Sequence, residues 1–127
     1  MKGKGISFGR LMRSFGYAFN GIRWMIRNEQ NAKIHLIALL AVVAAGIYLH
    51  LSLSEWIIIV IVSGGVFAAE AFNTSIEALS DTISPEYNKK IKGVKDFAAG
   101  AVLIATVTAI IVGVIIFLPK ILVVSGQ

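Results

Sequence analysis

Glu70, Asn73, Glu77 and Asp81 recur at spacings of three and four residues in the stretch Glu70 to Asp81, which closes an otherwise apolar run. At 100° per residue on a helix, Glu77 falls about 20° from Glu70 and Asn73 about 60° to one side, so two carboxylates and a carboxamide share one face. Asp81 follows near the same line one turn on. An ionisable residue inside a membrane-spanning helix costs roughly 2.5–3.5 kcal/mol on insertion scales, so a stripe of them marks a bundle interior or a bound cation, and with it a functional site. Carboxylates there suit two kinds of chemistry. They ligate a hard divalent cation such as Mg2+, which takes one or two carboxylates plus substrate phosphates. A carboxyl poorly hydrated among Ala, Val and Phe, as Glu70 is, also suits a general base. Interhelical hydrogen bonding is the structural alternative for any one of these residues, and it is weaker for all of them at one depth.

Other polar groups reach the same level: Glu29 before the first apolar span, and Lys95-Asp96 before the third. Glu29 and Glu77 are the candidate metal carboxylates, Asn73 a group that orients Glu70 or a hydroxyl, and Lys95 and Arg10 cationic donors to phosphate. Neither G-x-x-x-x-G-K-[ST] nor G-x-G-x-x-G occurs in the chain. Lys95-Asp96-Phe97-Ala98 has Ala where a protein-kinase metal motif needs Gly, and the catalytic-loop sequence is missing, so it carries no weight.

The elements that must position these groups are membrane helices. With 127 residues and 57% hydrophobic composition the chain is one small domain, and a mean hydropathy of +0.80 makes it an integral membrane protein. Cysteine is absent, which excludes thiolate metal sites, disulfides and a Cys nucleophile. The basic start Met1 to Lys4 lacks the apolar run and cleavage site of a signal peptide, so no cleaved leader is expected. Residues 6 to about 31 place Phe8, Leu11, Met12, Phe15, Phe19, Ile22 and Ile26 along one side of a helix and Arg10, Arg13, Tyr17, Asn20 and Trp24 opposite. A basic amphipathic helix of this kind lies in the membrane interface.

Spans follow at about 34–51, 56–79 and 97–118. His35 and His50 stand near the ends of the first, Ser54 is the expected N-cap of the second with Trp56 as an interfacial aromatic, and Gly64, Gly65, Gly100 and Gly113 permit close helix approach. Ser84-Pro85 breaks the helix after the second span, Asp81 to Asp96 is expected to lie in water, and Pro119-Lys120 is expected to end the third. Eleven of the twelve basic residues precede the first span or lie in the second loop. The N-terminus and second loop are therefore expected in the cytoplasm and the C-terminus outside.

These residues together resemble the small prokaryotic lipid kinases of the diacylglycerol kinase and undecaprenol kinase family, over essentially the whole chain. The family pattern E-x-x-N-[ST]-[AS]-[ILV]-E-x-x-V-D stands here as Glu70 to Asp81, with Ser80 in place of Val. Gly16-Tyr17, Asn28-Glu29, Glu86-Tyr87 and Lys95-Asp96 before Ala-Ala-Gly-Ala-Val also match. The resemblance implies an all-α membrane protein, a surface helix plus three spans, assembled as a homotrimer in the bacterial cell membrane. It would transfer the γ-phosphoryl group of MgATP to a lipid hydroxyl at the cytoplasmic interface, with Mg2+ as cofactor and no nucleic-acid partner. By resemblance Glu70 is the base and Asn73 its support. Glu29 and Glu77 are the metal and ATP carboxylates, and Arg10, Tyr17, Glu86, Tyr87, Asn88, Lys95 and Asp96 contact nucleotide. Arg10, Asn31, His35, Trp56, Glu70, Ala99 and Gly113 form the lipid-substrate set. Ile34-His35-Leu36, Ala99 and Gly113 through Pro119 look like the Gram-positive undecaprenol kinases, which favours undecaprenol over diacylglycerol. A small cation-coupled transporter also accounts for one intramembrane Glu, but not for Glu29, Glu77 and Lys95-Asp96 at one face.

Overall fold

The computed structural model describes residues 5–126; the basic start Met1 to Lys4, including Lys2 and Lys4 of the charge asymmetry, lies outside the described residues. The described residues form four helices: α1 (Phe8–Asn28), α2 (Gln30–Tyr48), α3 (Leu53–Ile83) and α4 (Lys89–Val124). The last three are long and apolar enough to cross a membrane.

α1 and α2 are separated by a single extended residue, Glu29, at φ −96° and ψ 121°. The break therefore falls earlier than the 6–31 and 34–51 boundaries expected from composition. Polar Gln30, Asn31 and Lys33 belong to the first turn of α2, because the backbone ladder resumes at once with Lys33 N–H donating to the Glu29 carbonyl (3.2 Å). α1 contributes only Met25 to the buried set, and Phe8, Leu11, Phe15, Phe19 and Ile22 remain exposed along it.

α3 begins with a reciprocal cap at Ser52, not at Ser54 as its position suggested. Ser52 Oγ accepts from Glu55 N–H (3.3 Å), and Ser52 N–H donates to Glu55 Oε1 (2.9 Å). Glu three residues after Ser satisfies two orphan donors at once, which Ser54 has no partner to match. The same Glu55 carboxylate takes the Lys120 ammonium at 3.1 Å, tying the start of α3 to the far end of α4. The expected stop at Pro119 does not occur, and α4 runs on to Val124. Proline's fixed φ is itself helical, so the helix bears a lost bond to the Ile115 carbonyl and the ring's crowding of that carbonyl, and the Lys120–Glu55 pair ties the next turn to the start of α3.

α3 and α4 form the principal antiparallel pair, with α2 against α3 and α1 against both α2 and α3. Their 31 and 36 residues give lengths of about 46 and 54 Å, well beyond a hydrocarbon core of roughly 30 Å. The second loop is accordingly shorter than the polar run Asp81 to Asp96 suggested, since only residues 84–88 are outside helices.

At the opposite end Leu51, Ile59 and Ile116 form an apolar cluster with Val42, Trp56, Val112 and Phe117 packed against it. Trp56 lies on Gly46, where a Cβ would stand 2.6 Å from the indole and 2.9 Å from Leu51 Cδ1. Gly46→Ala should therefore destabilise the protein by about 1–3 kcal/mol, the usual cost of overpacking. A thermal midpoint in detergent equal to that of the unmodified protein would show that the indole has room to move.

Candidate active site

Burial is graded along the α3 stripe: Glu70 and Asn73 are buried, Glu77 is half-buried and Asp81 is exposed. Glu70 is 1% exposed, and neither of its carboxyl oxygens has a hydrogen-bond partner. His35 of α2 brings Nε2 to 4.0 Å from Glu70 Oε2, beyond hydrogen-bond range. Its imidazole is held there edge-on to Phe67, one turn before Glu70, with centroids 6.3 Å apart. A buried carboxyl without a donor is costly, so this site is built to receive one.

Three cavities lie in series along α3 and α4; Glu70 lines none of them, and it is His35, 4.0 Å from its carboxyl, that lines the second and third. The first, about 460 Å3, opens at the 84–88 loop and is lined by Glu77, Asp81, Glu86, Tyr87, Asn88, Lys92, Lys95, Asp96 and Ala99 among others. The second, about 310 Å3, is a mixed chamber that includes Asn31, His35, Asn73, Glu77, Ala99 and Thr106. The third, about 210 Å3, is an apolar groove between α2, α3 and α4 reaching Gly113. Glu77 and Ala99 belong to both the first and the second, and His35 and Thr106 to both the second and the third. A polar cleft, a mixed chamber and an apolar groove thus meet end to end, which is the layout needed to join a hydrophilic substrate to the head of a lipid.

The candidate residues fall into groups. Asn73 Nδ2 donates to Glu77 Oε1 (3.4 Å), so the carboxamide supports Glu77 and not Glu70, and its Oδ1 has no partner. Lys95 Nζ donates to Asp81 Oδ1 and Lys92 Nζ to Asp96 Oδ2, each at 2.7 Å. Asn88 Oδ1 caps α4 by accepting from Lys90 and Ile91 N–H at 2.9 and 3.2 Å. Arg10 and Tyr17 are exposed on α1 and line none of the three cavities, and neither does Trp56, which packs at the far end.

Glu29 and Glu77 are both near enough to act electrostatically on Glu70. Among the described residues neither forms an ion pair. Carboxylates without an ion-pair partner are the kind of donor a hard cation takes. Among the described residues no three His, Asp or Glu side chains gather in ligating geometry, so a cation held here would complete its shell with phosphate and water oxygens. Thr106 carried no signal in the sequence, being one of two threonines in an aliphatic run; only its place in the lining of cavities shared by α2, α3 and α4 reveals it.

The model of the prokaryotic diacylglycerol kinase family matches residues 16–117 of this chain. The chain belongs to that family. It is 41% identical over 111 residues to the undecaprenol kinase of Bacillus subtilis (strain 168), covering 87% of this chain and 90% of that protein. It is 36% identical over 113 residues to the diacylglycerol kinase of Synechocystis, covering 88% of this chain and 65% of the relative. With the diacylglycerol kinase of Escherichia coli (strain K12) it shares 30% over 104 residues, covering 82% and 85%. The family and the three apolar helices make this protein a multi-pass membrane enzyme, a lipid kinase.

Proposed function

We propose that this lipid kinase phosphorylates undecaprenol with MgATP. The observation that carries the reading is the series of polar cleft, mixed chamber and apolar groove, with the buried, unpartnered Glu70 carboxyl beside the chamber. The higher identity to an undecaprenol kinase than to the diacylglycerol kinases favours the prenol. Diacylglycerol is the second reading, favoured by the relatives that bear that name, and its chemistry is the same.

In this reading the nucleotide occupies the cleft lined by Glu77, Glu86, Tyr87, Asn88, Lys95 and Asp96, while Arg10 and Tyr17 of α1 lie away from it. Glu29 and Glu77 would hold Mg2+, which when bound neutralises charge on the phosphates. Glu70 takes the proton of the lipid hydroxyl as its oxygen bonds to the γ-phosphorus. The bond from that phosphorus to the β–γ bridging oxygen breaks, and the electron pair leaves with ADP. Asn73 keeps Glu77 in place. Asn31, His35, Ala99 and Gly113 form the path of the lipid, and Trp56 packs the far end of the same bundle.

α1 lies along the interface, its exposed apolar side chains in lipid and its arginines at the headgroups. The N-terminus and the 84–88 loop face the cytoplasm, where ATP is, and the C-terminus lies outside. The subunits assemble as a homotrimer, which gives the exposed apolar faces of the spans a partner as well as lipid.

Thermal stabilisation tests the nucleotide part. Mg2+ plus ATP should raise the unfolding midpoint in detergent, since a ligand that binds only the folded state stabilises it, and no shift at millimolar MgATP would count against the reading. Gly113 tests the lipid part. A Cβ there meets nothing within 4 Å, so the groove has room. Gly113→Trp should fill it, lowering turnover of undecaprenol roughly tenfold and more than that of diacylglycerol, with apparent ATP affinity unchanged about 20 Å away by helix rise. Equal loss on both lipids in a folded trimer would remove Gly113 from the selectivity argument.

A further inference from the structure

We infer that the Thr106 hydroxyl binds the alcohol oxygen of the lipid substrate at the throat between the apolar groove and the mixed chamber. The inference rests on the kinase reading above and names the group that positions the nucleophile.

Thr106 and His35 are the two residues shared by groove and chamber, so a lipid head passing from one to the other passes between them. Thr106 Oγ1 is buried and has no hydrogen-bond partner. Thr74 Oγ1 is likewise buried and unpartnered, but it lies outside the groove and the chamber, and three other helical hydroxyls are satisfied locally. Ser75, Thr82 and Thr108 each donate to the carbonyl four residues back, at 2.9, 2.8 and 2.8 Å, the ordinary way a helix satisfies a hydroxyl. Thr108 lies on the same helix only two residues on, so the aliphatic setting of α4 does not itself prevent that bond. The Thr106 hydroxyl is left free where the groove turns polar.

Rotation about χ1 among staggered wells redirects the threonine hydroxyl without moving the backbone. The chemistry there matches an alcohol. A lipid hydroxyl has two lone pairs and one proton; accepting a hydrogen bond from Thr106 leaves that proton free for the base and aims a lone pair at the phosphorus. On the chamber side Asn73 Oδ1 is a second unpartnered acceptor. A polyprenol carries no polar atom except its hydroxyl, so a single donor at the throat fixes how far the chain slides along the groove. Thr106 thereby sets the depth of the reacting atom.

The test compares Thr106→Val, which keeps shape and removes the hydroxyl, with Thr106→Ser, which keeps the hydroxyl and loses the methyl. Both are made in the full-length protein in detergent and assayed for transfer from ATP to undecaprenol. Val should raise KM for the prenol about five- to tenfold, as expected for one neutral hydrogen bond, with KM for ATP and the thermal midpoint unchanged. Ser should stay within about twofold of the unmodified enzyme. Where Val does not fold, Thr106→Ala lacks the bulk to clash and should show the same split. An unchanged prenol KM in a folded Val or Ala variant overturns the inference, as does a parallel rise in both KM values. Failure of the unmodified protein to phosphorylate any lipid alcohol is a different result, and it removes the kinase reading together with the role of Thr106.

Discussion

Glu70→Gln lowers turnover by roughly 10²–10⁴-fold while MgATP still binds, the usual contribution of a positioned general base. The expectation follows from burial and isolation. Glu70 is enclosed at 1% exposure, has no hydrogen-bond partner, and is not among the residues lining the polar cleft proposed for the nucleotide. Gln has nearly the same volume and no charge, so it should not weaken the fold. The amide cannot take the hydroxyl proton. The loss therefore falls on turnover, with MgATP-dependent thermal stabilisation retained. Near-normal turnover with saturating substrates would assign the proton to another group, and His35, 4.0 Å away, would be the first to test.

The second large effect belongs to Glu29 and Glu77, the proposed metal carboxylates. Glu29→Gln and Glu77→Gln should each raise the Mg2+ and ATP concentrations needed for half-maximal activity roughly 10–100-fold, as for the loss of one charged contact. The two residues arrive by different routes. Glu29 is the single extended residue between α1 and α2, while Glu77 projects from α3 and is steadied by Asn73. If both hold one ion, the second loss removes less than the first, and the double variant should lose less free energy than the two single losses added together. Simple additivity, with Mg2+ dependence unchanged in both single variants, would contradict a shared ion.

Much of this arrangement was legible in the sequence, and the reason is periodicity. The Glu70, Asn73 and Glu77 spacing fixes one helix face, and the three apolar runs fix how many helices are long and apolar enough to span; both depend only on residues adjacent along one helix. Helix ends were less legible because they depend on local competition. Ser52 wins the cap from Ser54 through Glu55, α4 continues through Pro119 with Lys120 tied to Glu55, and the ladder resumes at once after Glu29. Contacts between helices were not legible at all. The approach of His35 to Glu70, the Lys95–Asp81 pair and the place of Thr106 beside His35 join residues on different helices. No spacing within one segment encodes which faces of α2, α3 and α4 line one cavity. Asn73 shows the limit most clearly: its place on the stripe followed from helical period, yet which carboxylate its amide serves was set by side-chain geometry that favours the residue four positions on.

The central claim is that a lipid alcohol in the groove is phosphorylated from ATP beside Glu70. The measurement that tests it most directly is transfer of label from γ-labelled ATP, with Mg2+, to undecaprenol and to diacylglycerol offered in the same detergent. The account predicts labelled undecaprenyl phosphate as the main product, formed with a higher kcat/KM than labelled phosphatidic acid. Label appearing in neither lipid would contradict it, and label in diacylglycerol alone would leave the kinase but remove the prenol.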